Sequence, residues 1–298
     1  MSGSPSPPSA SGPGGAPAGE PTEERVRRRL GPGFWLGVAW LAAVLIAAVG
    51  HSWLPISDPN KIDIPSKLAG PFTSDHLLGA DGLGRDVFAR LVAGARVSLT
   101  VSLTAVSVGT VVGGVLGIVA GYVRGPIDVA LTAATSILLA FPGLVLLLGL
   151  VAFVGQSLTA ISVVIGFLSI PIYARVARAN TLSIVEREYV LAARALGAKS
   201  VRVLVREVVP VVVLPLLAFG LTAIGVVIVL EGSLAFLGLS VEPPAATWGS
   251  MIAEGKRHLE TTVHVALIPS AVMFLTVLSF NIVGDRLRSR LSGSTSRI

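Results

Sequence analysis

Glu231 is the one acidic residue that lies deep inside a long apolar stretch of the sequence. An ionisable side chain at membrane depth is costly and marks a functional position by default. Two interpretations carry equal weight. Glu231 either faces the outer half of a translocation path, or it is a structural acid that hydrogen bonds to a residue of an outer loop. It is the candidate pathway residue of this chain.

A second group of charges, within residues 81–90, alternates in sign. A spacing of four residues on a helix predicts one ion pair between Asp81 and Arg85 and another between Asp86 and Arg90. We favour a salt-bridged amphipathic helix that caps a helical bundle over a group of residues that contacts substrate directly.

Other spacings argue against catalysis by this chain. Residues 197–200, Gly-Ala-Lys-Ser, lack the spacing of a phosphate-binding loop. No serine, histidine or paired carboxylate forms a catalytic constellation. The absence of cysteine excludes disulfides, thiolate zinc sites and iron–sulfur clusters. We expect no catalytic residue, no metal site and no cofactor bound by the chain itself.

The amino-acid composition indicates the environment in which these residues lie. Of the 298 residues, 52% are hydrophobic and only 13% are charged, and the mean hydropathy is +0.79. A soluble domain carries charge on about a quarter of its residues, so the chain is predicted to be an integral membrane protein surrounded by lipid. The net charge of +6 is then expected in cytoplasmic loops rather than on a surface that binds nucleic acid.

Six stretches are long and apolar enough to cross a bilayer as helices. They are residues 34–54, 98–123, 127–154, 158–174, 208–230 (or as far as 237) and 263–283. The third is interrupted by Phe141-Pro142-Gly143, and Pro142 predicts a kink there. The predicted fold is an all-α integral membrane bundle of six transmembrane helices.

The distribution of charge orients this bundle. With the N-terminus inside, the inner segments hold 16 Lys and Arg against 8 Asp and Glu, and the outer loops hold 7 against 8. Positive charge accumulates on the cytoplasmic side, so both termini are predicted to be cytoplasmic. We divide the chain into a disordered tail with a basic juxtamembrane patch, a transmembrane domain and a second short tail. The corresponding ranges are 1–33, 34–290 and 291–298, with an inner loop at 175–207 and outer loops at 55–97 and 238–262.

Four glycines follow one another at a spacing of four in the second apolar stretch, which places them along one side of a helix. They are Gly109, Gly113, Gly117 and Gly121. Small residues at this spacing let another helix approach closely in lipid. We interpret the stripe as helix packing within the bundle rather than as a contact between subunits.

The inner loop contains strong helix formers that end at Gly197, a typical C-terminal stop. Helical spacing places Tyr189, Ala193 and Leu196 on one face, with Ala192 beside them. This small apolar face favours a helix that seats in a groove of a partner protein. The alternative is a helix that lies on the lipid surface, but such helices favour bulky apolar residues.

Residues 188–197, Glu-Tyr-Val-Leu-Ala-Ala-Arg-Ala-Leu-Gly, resemble the EAA loop of ABC-importer permease subunits. The later Leu214-Pro215 also fits this pattern. Leu191 stands where the motif usually has glutamate, and Glu207 stands where a histidine is common. In that family the helix is a coupling helix that docks on the ATP-hydrolysing subunit. The coupling residues that the resemblance implies are Glu188, Tyr189, Ala192, Ala193, Arg194 and Gly197.

Residues 76–99, 230–251 and 280–288 narrow the resemblance. They are similar to the dipeptide/oligopeptide (and nickel) transport subfamily, in the subunit given the letter C. The resemblance implies an ABC type I importer-like permease fold in the bacterial inner membrane. It also implies three kinds of partner: a homologous second permease that completes a heterodimer, two ATPase subunits that hold ATP and Mg²⁺, and an extracytoplasmic solute-binding protein. The outer-face residues implied for docking that protein are Asp81, Arg85, Asp86 and Arg90.

The function that follows is peptide import by alternating access, with this chain forming half of the pathway. Nickel or another small solute is the alternative within the same class. A stand-alone secondary transporter would need ion-coupling groups at mid-membrane and often contains internal repeats. A single buried acid and the absence of a detectable repeat make that class the less favoured one.

Overall fold

The computed structural model describes residues 31–50, 53, 56–73 and 76–295, with side chains as far as residue 290. Residues 1–30 lie outside this part of the chain, and with them the basic patch and most of the predicted disordered tail. The predicted end of that tail at residue 33 is wrong, because Pro32 and Gly33 belong to the first helix. The described residues form helices and no extended strand. The helices are α1 Pro32–Gly50, α2 Val87–Val108, α3 Gly114–Val123, α4 Gly125–Ala140, α5 Gly143–Val154, α6 Leu158–Val185, α7 Glu188–Ala195, α8 Ser200–Val203, α9 Val209–Phe236, α10 Trp248–Gly255 and α11 His264–Thr295.

Among these residues, five helical segments are long and apolar enough to cross a membrane, and the bent pair α4–α5 makes a sixth if it counts as one span. A π-helical segment, Gly109–Gly113, joins α2 to α3, and another, Leu204–Val208, joins α8 to α9. The all-helical membrane fold predicted from the composition is confirmed. We call the two ends of the bundle inner and outer according to the predicted orientation.

Three helices extend further than the apolar stretches that predicted them. The second span begins at Val87 instead of residue 98, the fourth ends at Val185 instead of 174, and the fifth begins at Ser200 instead of 208. A helix of 28 residues is about 42 Å long, which exceeds the ~30 Å hydrocarbon core. Within one of these extensions Arg178 pairs with Asp128 of α4, so α6 carries a paired charge past the apolar region.

The third span is broken where the sequence predicted a kink. Its two halves, α4 and α5, meet at 87°. Phe141 is extended, with φ −76° and ψ 141°, as expected for a residue before proline. Pro142 then stands at the start of α5, where its missing N–H is tolerated.

α6 lies at the centre of the bundle and packs against α2, α3, α4, α5 and α9. The glycine stripe makes the closest of these contacts possible. A Cβ on Gly113 would lie 2.6 Å from the Ile170 carbonyl oxygen, and one on Gly121 would lie 2.9 Å from Thr181 Cβ. Gly109 and Gly117 likewise face α6, so the stripe brings two helix backbones together within one chain.

Candidate functional site

The outer loop before α2 contains a buried cluster of charges. Arg85 Nε lies 2.7 Å from Asp81 Oδ2, and Arg85 Nη2 lies 2.7 Å from Glu254 Oε2 on α10. Arg90 Nη2 is 3.3 Å from the same Glu254 oxygen. Arg90 is 1% exposed and Asp81 4%, whereas the Glu254 side chain is 39% exposed. The cluster fastens the outer loop to α10 and reaches the surface at Glu254.

This geometry corrects two expectations about residues 81–90. The predicted Asp86–Arg90 pair is wrong, because Asp86 precedes the helix and caps it by accepting a 2.8 Å hydrogen bond from the Ala89 N–H. Asp86 also contacts His76 Nδ1 at 3.0 Å. Residues 81–86 form a loop rather than an amphipathic helix, with a tight turn at Gly84, whose φ is +77°. The predicted Asp81–Arg85 pair is present.

The four charges that the resemblance placed on an outer docking surface are buried in this chain. Arg85 is 8% exposed and Asp86 is 7% exposed, and Asp81 and Arg90 are more buried still. Their opposite charges largely neutralise one another inside the protein, where an unpaired charge would be strongly destabilising. In this arrangement they stabilise the outer loop, and Glu254, which sequence reasoning missed, is the carboxylate that faces outward.

Glu231 lies on α9, 1% exposed, and accepts a 2.8 Å hydrogen bond from Ser240 Oγ. Ser240 belongs to the outer loop that follows α9. Its hydroxyl is also 3.4 Å from Thr247 Oγ1, at the start of α10. This is the arrangement described by the structural interpretation of Glu231, in which the acid holds an outer loop residue.

Trp248, the first residue of α10, extends this connection to α2. Its backbone N–H donates to Ser98 Oγ at 3.2 Å, and its indole Nε1 donates to the Leu91 carbonyl at 3.1 Å. The indole is fully buried. The outer ends of α2, α9 and α10 are therefore held together by hydrogen bonds that no sequence spacing predicts.

A cavity of about 560 Å³ opens between α4, α5, α6, α9 and α11. Apolar side chains make up most of its wall. Four uncharged polar side chains also line it: Ser169, Tyr173, Thr222 and Asn281. Neither Glu231 nor any other charged residue is among the lining residues. Sequence reasoning missed this cavity, and an asparagine within an apolar stretch was the signal that could have found it.

The cavity lies at the break between α4 and α5, and Phe141 and Gly143 form part of its wall. The last carbonyls of a helix and its first N–H groups have no partner within the helix. Hydrocarbon cannot satisfy them, so broken helices occur in membranes where the backbone is buried or borders a watery cavity. The site therefore suits a polar guest within largely apolar walls.

At the inner end, α7 is the helix predicted from the inner loop. Its last residue is Ala195, and the chain then turns at Gly197, whose φ is +80°. After the last turn, the Gly197 N–H donates to the Arg194 carbonyl at 2.9 Å, and the Ala198 N–H donates to the Ala193 carbonyl at 3.1 Å. This left-handed glycine stop satisfies carbonyls that the helix leaves free.

The face that α7 presents differs from the predicted one. Tyr189 and Ala193 are half-buried and pack against the core of the bundle, and burial raises the pKa of Tyr189 above its usual value. Leu196, predicted on the same face, is 88% exposed because it lies past the last turn. Leu191 and Ala192 point outward instead.

Exposed apolar side chains continue beyond the glycine turn. We define the inner ridge as Leu191, Leu196, Val201 and Val205, which are 51%, 88%, 73% and 57% exposed. Exposed leucine and valine side chains concentrated in one region mark a surface that contacts another protein or lipid.

The comparisons with known proteins point to one family. Residues 113–297 match the family described as binding-protein-dependent transport system inner membrane component. The chain is 38% identical over 255 residues to a glutathione transport system permease protein of Pectobacterium atrosepticum, which covers 86% of this chain and 84% of the relative. The corresponding protein of Salmonella typhimurium is 38% identical over 253 residues, covering 85% and 83%. That of Escherichia coli is 36% identical over 249 residues, covering 83% and 82%.

Proposed function

This chain belongs to the family of binding-protein-dependent transport system inner membrane components, and we propose that it carries small peptides as one half of a two-permease pathway. It is an ABC-importer permease of the peptide/oligopeptide-type subfamily and a multi-pass protein of the bacterial inner membrane. ATP hydrolysis belongs to a separate protein. The family also implies a solute-binding protein outside the membrane.

The cavity at the α4–α5 break is the observation that carries the proposal. Its lining offers neutral hydrogen-bonding groups, Ser169, Thr222 and Asn281, and no charged side chain. Such groups suit peptide amides, which both donate and accept hydrogen bonds. They suit Ni²⁺ poorly, since nickel prefers imidazole and other strong ligands. The relatives are named for glutathione, itself a tripeptide, which supports the peptide class.

The inner ridge is the proposed contact with the ATPase pair. Leu191 and Leu196 offer apolar side chains for a cleft, and Glu188 and Arg194 offer charges that orient the helix. Tyr189 and Ala193 act differently from the expectation, because their packing against the bundle fixes α7 to the permease. Gly197 forms the turn that lets both arms of the loop reach the partner.

The complete importer would contain this chain, a homologous second permease, two ATPase subunits and the external binding protein. ATP and Mg²⁺ would bind the ATPase subunits, and this chain would bind no cofactor. Closure of the ATPase pair would move α7 and switch the cavity between outward and inward access.

The proposal is tested by reconstituting the complete complex in liposomes with its binding protein and measuring uptake of a labelled dipeptide, glutathione and Ni²⁺. We expect peptide uptake that requires both ATP and the binding protein. Uptake of Ni²⁺ alone would contradict the peptide assignment. Uptake by this chain without partners, driven by an ion gradient, would contradict the whole proposal and favour a secondary transporter.

A further inference from the structure

Tyr122 contacts both arms of the inner loop at once. It lies in the last turn of α3, and its hydroxyl donates a 2.8 Å hydrogen bond to the carbonyl of Ser200, the first residue of α8. Its ring also lies under Arg194, whose guanidinium carbon is 5.2 Å from the ring centre. Arg194 belongs to the last turn of α7. One side chain therefore joins α3 to the loop on each side of the Gly197 turn.

An ion pair also joins the α3–α4 turn to the end of α6. Arg124 Nη2 lies 2.9 Å from Glu186 Oε1, but the two side chains are 49% and 72% exposed. Exposed ion pairs contribute little because water and salt screen them. Tyr122 is half-buried, whereas its partners Arg194 and Ser200 are exposed. Its ring cannot be displaced without breaking both of its contacts.

From Tyr122 a continuous series of close contacts leads to the cavity. The residue before it, Gly121, packs against Thr181 of α6. Higher on the same stripe, Gly113 lies so close to α6 that a Cβ there would be 2.8 Å from Tyr173 Cβ. Tyr173 lines the cavity. A shift of α3 relative to α6 would therefore reach the wall of the cavity.

The backbone of α3 offers a place for such a shift to begin. α3 joins α2 through the π-helical segment Gly109–Gly113, and π segments within helices are frequent at functional sites. This segment faces Tyr173, since a Cβ on Gly109 would lie 2.6 Å from Tyr173 Cδ2. The π-helical segment thus contacts a cavity residue, and the last turn of α3 contacts the inner loop.

We propose that Tyr122 is a positioning residue for transport, which holds the inner loop to α3 and passes its movement to Tyr173 at the cavity. The inference rests on the proposed function, in which an ATPase pair moves this loop. Tyr122 does not contact the solute. It makes α3, α7 and α8 move together. ATP hydrolysis by the partner then changes the side from which the cavity is accessible.

The experiment uses the complete complex in liposomes and compares Tyr122→Phe and Tyr122→Leu with the unsubstituted chain. Phenylalanine keeps the ring for Arg194 but loses the hydroxyl, and leucine loses both contacts. Val123→Ala is the matched control, because Val123 is the next residue of α3 and is 55% exposed. The main measurement is the number of peptides imported per ATP hydrolysed.

A second measurement reports the cavity directly. The natural chain has no cysteine, so a single Thr222→Cys substitution places one thiol in the cavity wall. Its rate of labelling by a small maleimide is compared with and without ATP in each background. Access to the cavity is thereby observed independently of solute uptake.

With Tyr122→Leu we expect the ATPase still to bind and to hydrolyse ATP. The number of peptides imported per ATP hydrolysed should fall about threefold or more. The rate of thiol labelling should no longer depend on ATP. Tyr122→Phe should lie between leucine and tyrosine. A ratio equal to that of Val123→Ala would overturn the role of Tyr122. Loss of ATPase binding in both Tyr122 variants would overturn it too, since Tyr122 would then merely maintain the loop. If the unsubstituted complex imports no peptide, the proposed function itself fails.

Discussion

Arg85 and Glu254 are separated by 169 positions in the chain, yet Arg85 Nη2 and Glu254 Oε2 lie 2.7 Å apart. The bond joins the loop before α2 to α10, two outer segments that belong to different ends of the sequence. Asp81 completes the arrangement by accepting from Arg85 Nε at 2.7 Å. Paired charges, buried at Asp81 and Arg85 and exposed at Glu254, thus hold the outer segments of the permease together.

Asp81→Asn is predicted to destabilise the outer loop strongly. The amide keeps the size of the side chain but leaves Arg85 and Arg90 with Glu254 as their one remaining acid in the cluster. Removing one partner of a buried ion pair costs about 3–5 kcal/mol. Thermal unfolding of the detergent-purified chain should show a clearly lower midpoint. Glu242→Gln, at an exposed outer position, is the control and should leave the midpoint unchanged; equal midpoints for the two variants would contradict the prediction.

Gly113→Ala is predicted to disturb the contact between the glycine stripe and α6. The added Cβ would lie 2.6 Å from the Ile170 carbonyl oxygen, a backbone atom that cannot move aside easily. Overpacking of this kind costs about 1–3 kcal/mol, which should lower the unfolding midpoint. Gly149→Ala is the matched control, because Gly149 lies within α5 with nothing near its Cβ position. A normal midpoint for Gly113→Ala would show that the two helices tolerate separation.

Leu196→Ala is predicted to weaken binding of the ATPase pair. Leu196 is the most exposed member of the inner ridge, at 88%. We place it among the minority of interface residues whose truncation costs about 1–2 kcal/mol. That corresponds to an affinity roughly five- to thirtyfold lower, measurable by titrating the ATPase against permease in lipid nanodiscs. Leu259→Ala, on the outer side and 44% exposed, should bind normally. Unchanged affinity for Leu196→Ala would remove the ridge from the interface.

Asn281→Leu is predicted to lower peptide uptake while the complex still assembles. The Asn281 Nδ2 group donates a hydrogen bond to the Val277 carbonyl at 2.8 Å, and Asn281 is one of the residues that line the cavity. Losing one hydrogen bond to a solute costs about 0.5–1.5 kcal/mol, so the initial uptake rate should fall roughly two- to tenfold.

Asn180→Leu provides a matched control for that experiment. Asn180 makes the same local bond on α6, from Nδ2 to the Val176 carbonyl at 2.8 Å, but it is not among the residues that line the cavity. Its substitution should leave uptake close to normal. Equal losses for Asn180→Leu and Asn281→Leu would attribute the effect to the helices rather than to the cavity.

Local signals in the sequence predicted local features well. Pro142 indicated the break between α4 and α5 because proline disfavours a helical conformation in the residue before it. Gly197 indicated the end of α7 because glycine readily adopts positive φ. The glycines that recur every four residues from Gly109 to Gly121 indicated a close helix contact, although their spacing did not identify α6 as the partner.

Side-chain environments were predicted less well. Asp86 and Arg90 have the spacing of a helical ion pair, yet Asp86 lies before the first turn and caps the helix instead. Tyr189 and Ala193 have the spacing of an exposed apolar face, yet they pack inward. In both cases the sequence gives the separation of two residues along the chain but not the direction from which the rest of the protein approaches.

The sequence by itself determined that this chain is a helical membrane protein with an inner loop that resembles a known motif, because apolar length, charge distribution and a short motif are all local properties. Only the tertiary structure decided which residues meet across the bundle. The cavity needs five helices to enclose it, Arg85 finds Glu254 across 169 positions, and Tyr122 reaches Ser200 across 78. Such contacts depend on how helices pack, and packing is set by the whole chain at once.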